Sequence, residues 1–319
     1  MADSQHRRPT VTVRLGALDM AEVARPVRAI QLWATLSDYW ALTKPEVNFL
    51  ILVTALAGFY LASKPGSRGL RVLLAGHMLL GTLMVAAGTG TLNQFLERSF
   101  DAQMRRTARR PLASGRLKAS HVLCFGTLLA LAGTVNLAMT VNVLTSLLAV
   151  ITLLSYLFLY MPLKRQTPLC TLIGAFPGAV PPLIGWAAAR GRLDPEAWVL
   201  YAMVFLWQFP HFMAIAWMYR EDYLRAGYLV LPPSALRDRF VIWQSLVPAL
   251  VLVPISLIPT ITGELGLVYS VGAILCSSMF LYSSARFAFY RSSVMARRLF
   301  ATSIIYLPLV FILMVLDKK

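Results

Sequence analysis

The stretch Asn93 to Pro111, NQFLERSFDAQMRRTARRP, marks the point where a long apolar run ends and a dense basic run begins. The run before it, about 70–94, is as long as the roughly 20 apolar residues a helix needs to cross a bilayer. The charges after it therefore belong at a membrane edge. On a continued helix Asn93, Glu97 and Asp101 recur every four residues and share one face, drifting about 40° per step. Arg98, Arg105, Arg106, Arg109 and Arg110 crowd the same stretch. Carboxylates beside arginines suit a polyanion bridged by divalent metal, because Mg²⁺ is usually held by one or two carboxylates plus substrate phosphate oxygens. Arginine forks would take the remaining phosphate oxygens. The plainer alternative is a solvated helix end whose acids and bases pair with one another.

Composition agrees with a membrane setting. The 319 residues are 58% hydrophobic and 14% charged, with mean hydropathy +0.65, whereas soluble domains carry about 25% charged residues. The net charge of +16 does not indicate nucleic acid, because it is scattered over short gaps between apolar runs, as positive-inside bias requires. Cys124, Cys170 and Cys276 are odd in number, lack CxxC spacing and lie in apolar runs, so they read as packing residues.

Working outward, residues 1–40 are polar and basic and read as a cytoplasmic tail, with an interfacial helix near Ile30–Trp40. No apolar core follows the early arginines, as a signal peptide requires, and Asp3, Asp19 and Glu22 argue against a mitochondrial transit peptide. Residues 41–319 read as one all-α polytopic bundle of nine transmembrane helices, at about 46–63, 70–94, 120–139, 141–160, 169–189, 196–218, 240–262, 265–285 and 298–316. Of the 30 Lys and Arg, only Lys64, Arg68, Arg71, Arg190, Arg192, Lys318 and Lys319 fall on one side. The asymmetry places the N-terminus and the other gaps in the cytoplasm.

A second charged constellation ends WQFPHFMAIAWMYREDYLRAGYLVLP, Trp207 to Pro232, where Glu221 and Asp222 lie beside Arg220 and Arg225. Four helices separate it from the first, an even number, so both acid clusters meet the same membrane face. Two such clusters suit a diphosphate clamped through metal ions. Between them LYMPLKRQTP brings Lys164 and Arg165 to that face, as phosphate contacts or as ordinary positive-inside anchors.

At these residues the chain resembles the UbiA superfamily of intramembrane prenyltransferases, and within it the heme-modifying branch. The superfamily's first acidic motif, NDxxDxxxD, is matched at Asn93, Glu97 and Asp101, with Gln94 in place of its second, acidic position. The heme-type pattern N-x3-D/E-x3-D-x2-M-x-R-T-x2-R-P-L is matched through Met104, Arg106, Thr107, Arg110, Pro111 and Leu112. Further matches are LTKP (Leu42 to Pro45), YMPLKRQTP, IGAFPGAVPPLIGW (Ile173 to Trp186), WQFPHF (Trp207 to Phe212) and EDYLRAGYLVLP (Glu221 to Pro232). The resemblance covers roughly 40–310. Ser99 departs from an aspartate common in bacterial relatives, and Ala226 stands where a DxxxD motif places its second acid.

The resemblance implies the UbiA-type fold and a Mg²⁺-dependent enzyme in the bacterial cytoplasmic membrane. Its substrates would be farnesyl diphosphate and protoheme IX: the farnesyl group joins the 2-vinyl group, water adds, and heme O and diphosphate leave. It assigns catalysis to Asn93, Glu97, Asp101 and Asp222, and metal binding to Glu97, Asp101, Glu221 and Asp222. Arg98, Arg105, Arg106, Lys164 and Arg165 become phosphate donors, and Tyr156, Tyr160, Phe212 and Tyr219 candidate faces for an allylic cation. His211, an ionisable residue in an apolar span, is a functional candidate by position: it would ligate heme iron or bind a propionate, or else be satisfied by a neighbouring helix. Asn48 and Asn93 either line the diphosphate pocket or bridge helices. The glycines and prolines of 174–186 allow close helix approach or local unwinding, a seat for a flat macrocycle. Membrane lipid, and a downstream heme A synthase or terminal oxidase assembly, are the implied partners. The competing readings are a UbiA-type enzyme acting on a quinone precursor and a polytopic organic-anion transporter.

Overall fold

The computed structural model describes residues 33–64 and 68–319. Among them are nine helices long and apolar enough to cross a membrane: α1 Pro45–Ala62, α2 Gly69–Asp101, α3 Ala119–Thr140, α4 Val143–Leu163, α5 Cys170–Arg190, α6 Pro195–Met218, α7 Ala235–Ile261, α8 Leu267–Tyr290 and α9 Ser293–Leu316. The chain is an integral membrane protein. Most of the expected interfacial helix near Ile30–Trp40 is helical here, over 33–42, and the rest of the tail lies outside the described residues.

Helices consecutive in sequence pack side by side, and α9 returns to α1 and closes the ring. In α5 72% of the most apolar window is buried, more than in any other span, so this helix runs through the middle. Its small residues explain the position. A methyl group on Gly185 would overlap the Ala55 carbonyl oxygen, and one on Gly58 would overlap that of Pro182. Small residues at facing positions let two backbones meet where lipid offers no hydrophobic incentive to associate. The break in α5, at Ala179–Val180 before Pro181 and Pro182, is where the prolines withhold backbone donors. Gln208 of α6 packs into it, donating Nε2–H to the Ala175 carbonyl at 3.1 Å. The glycine- and proline-rich stretch is thus filled by α1 and by Gln208, which accounts for both close approach and unwinding.

Several helices outrun the spans expected from apolarity. α2 continues past the expected end at 94 to Asp101, while α7 starts near 234 and α9 at Ser293. Apolar counting detects only the stretch inside lipid, and these ends project beyond it. At the opposite end from the acid motifs, the last residues lock the ring. Asp317 Oδ2 accepts the Tyr269 N–H at 2.7 Å, and Lys318 Nζ donates to the carbonyls of Tyr60 and Ser63 at 2.8 and 2.7 Å.

Candidate active site at the charged end of the bundle

The site grows from the face that the four-residue spacing defines on α2. Asn93, Glu97 and Asp101 are all buried there. The Asn93 amide donates to Glu97 Oε2 at 2.8 Å, one helical turn on. A wide π-helical segment, Ser155–Tyr160, precedes the end of α4; such segments rotate the turns beyond them and recur at functional sites. Past this segment Met161 Sδ lies 3.5 Å from Asn93 Nδ2, and Lys164 Nζ donates to Glu97 Oε1 at 3.0 Å. The same oxygen accepts the Tyr228 hydroxyl at 3.0 Å.

Lys44 completes the cluster. It sits at the N-terminal boundary of α1 in left-handed conformation, φ 53°, and its ammonium donates to Asn93 Oδ1 at 2.5 Å. Asn48 holds the turn, donating to the Thr43 carbonyl at 2.7 Å, and Gln94 donates to that of Leu42 at 3.0 Å. Burial pulls the Lys44 ammonium down to about 7, with Arg110 and Lys164 adding to the effect and Glu97 and Asp101 opposing it. Burial also works against the Lys164 charge, but Tyr160 and the Glu97 carboxylate together hold that ammonium well above its ordinary range. Burial pushes the Tyr228 phenol up, and Glu97 reinforces it, so Tyr228 stays a neutral donor.

Asp101 carries the unfilled position. Its Oδ2 accepts from Arg110 at 2.7 Å, while its buried Oδ1 has no hydrogen-bond partner. A buried carboxylate oxygen without a partner costs free energy that a bound cation would recover. Among the described residues no three His, Cys, Asp or Glu side chains converge closely enough to hold a metal ion alone. Asp101, with Glu97 one turn away, fits instead an ion that takes most of its oxygens from substrate and water, the usual habit of Mg²⁺.

The remaining expected residues divide. Arg98 faces away from Glu97, since adjacent helical positions are about 100° apart; it is exposed, and its guanidinium lies over Phe95. Arg106 lies over Tyr219 and Arg165 over Phe100, at 4.8 and 4.6 Å from the ring centroids. Arg105 is exposed. Glu221 is exposed and pairs loosely with Arg220 at 3.8 Å. Asp222 is buried, but its oxygens turn to the backbone N–H groups of Arg105 and Arg106, at 3.3 and 3.2 Å, and to Arg225 at 3.1 Å. Of the two acids expected to form a second metal site, Glu221 thus faces outward and Asp222 is turned to the backbone at 105–106. Tyr160 already carries the Lys164 ammonium over its ring at 4.5 Å, and Tyr156 packs beside it. The sequence pattern marks LTKP but gives no role to Lys44, and none to Tyr228; the signal for Lys44 is a lysine directly before the Pro that opens an apolar run.

His211 lies deeper, between Trp207 and Phe300, with ring centroids 4.7 and 5.2 Å away. Its Nδ1 is 2.7 Å from Ser303 Oγ. That hydroxyl also donates to the Phe300 carbonyl at 2.6 Å, so it accepts from His211. The proton therefore sits on Nδ1, and Nε2 keeps its lone pair free. The partner is Ser303 on the neighbouring helix α9.

The sequence pattern of the UbiA prenyltransferase family matches residues 51–312. Protoheme IX farnesyltransferase of Solibacter usitatus is 46% identical over 287 residues, 88% of this chain and 98% of that protein. Protoheme IX farnesyltransferase of Koribacter versatilis is 39% identical, over 94% of this chain and 99% of that one. Among solved structures, a digeranylgeranylglyceryl phosphate synthase superposes with a TM-score of 0.72 at 18% identity, covering 88% of this chain and 98% of its own. A UbiA homologue from Archaeoglobus fulgidus, bound to GPP and Mg²⁺, superposes with a TM-score of 0.60 at 16% identity, covering 87% and 99%. These structures share the fold. With a family pattern spanning most of its length and relatives this similar, the chain belongs to the UbiA prenyltransferase family.

Proposed function

We infer that this membrane enzyme transfers the farnesyl group of farnesyl diphosphate to the 2-vinyl group of protoheme IX, with addition of water, giving heme O and diphosphate. The relatives named protoheme IX farnesyltransferase support the acceptor. The observation that carries the chemistry is the half-buried Lys44, Lys164 and Arg110 gathered around the buried Glu97 and Asp101, with Asp101 Oδ1 unpartnered. An allylic C–O bond ionises only when the departing diphosphate is neutralised, and donors fixed in a dry site do this without reorganising. Lys44, Lys164 and Arg110 would donate to the diphosphate, while Glu97 and Asp101 would hold Mg²⁺. When bound, the ion adds charge neutralisation at the leaving oxygens.

The heme vinyl group then attacks the allylic cation, forming a C–C bond and leaving a cation beside the macrocycle. Water adds there and loses a proton, so the product carries a hydroxyl group. Tyr156 keeps a face for the first cation, since Lys164 occupies that of Tyr160. His211 presents Nε2 as an iron ligand; a ligating imidazole usually has its other N–H tied to an oxygen, as Ser303 ties Nδ1 here. The N-terminal segment and the charged cluster lie on the cytoplasmic side, in keeping with the lysine and arginine asymmetry. A quinone-type acceptor and anion transport are not favoured: the relatives are heme enzymes by name, and the arginines come with acids that transport does not need. Purified protein given farnesyl diphosphate, Mg²⁺ and either protoheme or 4-hydroxybenzoate should prenylate only protoheme, as read by product mass. Prenylation of the phenol alone would move the activity to the quinone branch.

A further inference from the structure

We propose that Tyr228 is a positioning residue of the diphosphate site: from the turn after Arg225 it pins Glu97 and Lys164 together, and so fixes which Glu97 oxygen is left toward the ion. The inference rests on the proposed diphosphate chemistry and concerns how its parts are held.

The sequence REDYLRAGY, Arg220 to Tyr228, builds the turn. The short helix Arg220–Arg225 stops at Gly227, φ 71°, a left-handed position that glycine takes without steric cost. The Tyr228 N–H donates back to the Tyr223 carbonyl at 2.9 Å, and the Gly227 N–H to that of Leu224 at 3.1 Å. In this kind of helix ending the residue past the glycine also packs on the residue five before it. The Tyr223 and Tyr228 rings do so, edge to face at 6.0 Å. Tyr228 therefore leaves the helix turned inward. It is buried with Met104 and Ala226, and the ring of Phe100 lies 5.8 Å from its own.

The phenol donates to Glu97 Oε1 at 3.0 Å, the oxygen that Lys164 Nζ also reaches at 3.0 Å. The next residue ties the same lysine by its backbone, the Leu229 N–H donating to the Lys164 carbonyl at 2.7 Å. Two consecutive residues thus hold both members of an ion pair that joins α2 to the loop after α4. A carboxylate oxygen offers about two lone pairs. Oε1 has both engaged, whereas Oε2 accepts from Asn93 at 2.8 Å and, among the described residues, from no other group. One position on Oε2 stays open to an ion. Lys164 spends one of its three N–H bonds on Glu97, which leaves two for phosphate oxygens. Without the phenol, Lys164 alone would hold Oε1, and the two side chains could swing together away from the ion.

Tyr228→Phe tests this on the full-length protein in detergent, because it keeps the ring and its packing and removes only the donor. Mn²⁺ serves as the ion and an unreactive thio analogue of farnesyl diphosphate as the anion. Bound Mn²⁺ is read from its paramagnetic resonance signal against a protein-free control. Tyr228→Phe should weaken Mn²⁺ binding by about tenfold, the scale on which hydrogen bonds to a ligating carboxylate act. Gly227→Ala should weaken it in the same direction: nothing lies near the added carbon, but the left-handed backbone is disfavoured. In turnover, Tyr228→Phe should raise the Mg²⁺ concentration for half-maximal rate, and the rate lost at low Mg²⁺ should return as Mg²⁺ is raised. A merely structural loss would not return. Mn²⁺ binding as tight as in wild type, or a loss of rate that Mg²⁺ does not restore, would overturn the proposal. The binding arm needs neither heme nor turnover. Weakened Mn²⁺ binding in Tyr228→Phe, beside wild-type protein that leaves heme unmodified, would sustain the proposal and remove the heme reading alone.

Discussion

The Lys44 ammonium donates to Asn93 Oδ1 across 49 positions of sequence, joining the start of α1 to the acid-bearing face of α2. The contact depends on a left-handed backbone at Lys44, a conformation uncommon for a residue with a side chain and a mark of functional sites. It puts a cation beside the carboxylates where Asn93 bridges them. Lys44→Met should lower kcat/KM for farnesyl diphosphate by about 100-fold, the order lost when one preorganised donor is removed. Steady-state kinetics checks this, with thermal unfolding in detergent as the control for folding. Unchanged kinetics would place Lys44 outside the diphosphate site.

The lowered position of that ammonium, about 7, gives binding a proton signature. At pH 8 Lys44 is mostly neutral in the free protein, and a bound diphosphate raises its affinity for a proton. Binding at pH 8 should therefore take up a proton. At pH 6 Lys44 is already charged, and its share of the uptake vanishes. The groups facing it, Arg110, Glu97, Lys164 and Asp101, come from other parts of the chain, and the control must leave them in place. Calorimetry in buffers of different ionisation enthalpy should show the pH 8 uptake in wild type and its loss in Lys44→Arg, whose guanidinium stays charged. Equal uptake in both proteins would assign the proton elsewhere.

Packing at the centre yields a prediction about stability. Gly185→Ala puts a methyl group into the Ala55 carbonyl, and overpacking of this kind costs about 1–3 kcal/mol. Gly76→Ala, with nothing near its added carbon, should stay within about 0.5 kcal/mol of wild type. Thermal unfolding in one detergent compares the two. Equal melting temperatures would mean that the α1–α5 approach is looser than described.

The free Nε2 of His211 predicts a spectral change. Ferric protoheme bound to wild-type protein should show the shifted Soret band of an imidazole-ligated iron, and His211→Ala should lose it. Ser303→Ala, which removes the acceptor fixing the tautomer, should weaken heme binding by about tenfold, the scale of changes around a ligating histidine. Unchanged heme affinity, spectrum and turnover in His211→Ala would remove the histidine from the heme site.

Much of this is legible in sequence, for identifiable reasons. The nine spans follow from runs of apolar residues, and the Asn93–Glu97–Asp101 face follows from helical periodicity on a helix that does continue to Asp101. Both are local properties. The partners of Asp222 are not legible in sequence, because its residue type gives no sign of the Arg105 and Arg106 amides it meets. Tyr228 and Lys44 reach the cluster through the segment that follows Arg225 and the turn at Thr43–Lys44. Arg98 shares the charged stretch but not the face, a difference of one helical position.

The most direct test of the account is a paired reading of Asp101→Asn with protoheme, farnesyl diphosphate and Mg²⁺. Diphosphate release and farnesylated heme are followed together, and heme binding is followed by its spectrum. The account predicts that release and product formation fall together by at least about 100-fold, while heme still binds as in wild type. Product formation at the wild-type rate would contradict it, because the unpartnered oxygen of Asp101 would then have no part in breaking the allylic bond.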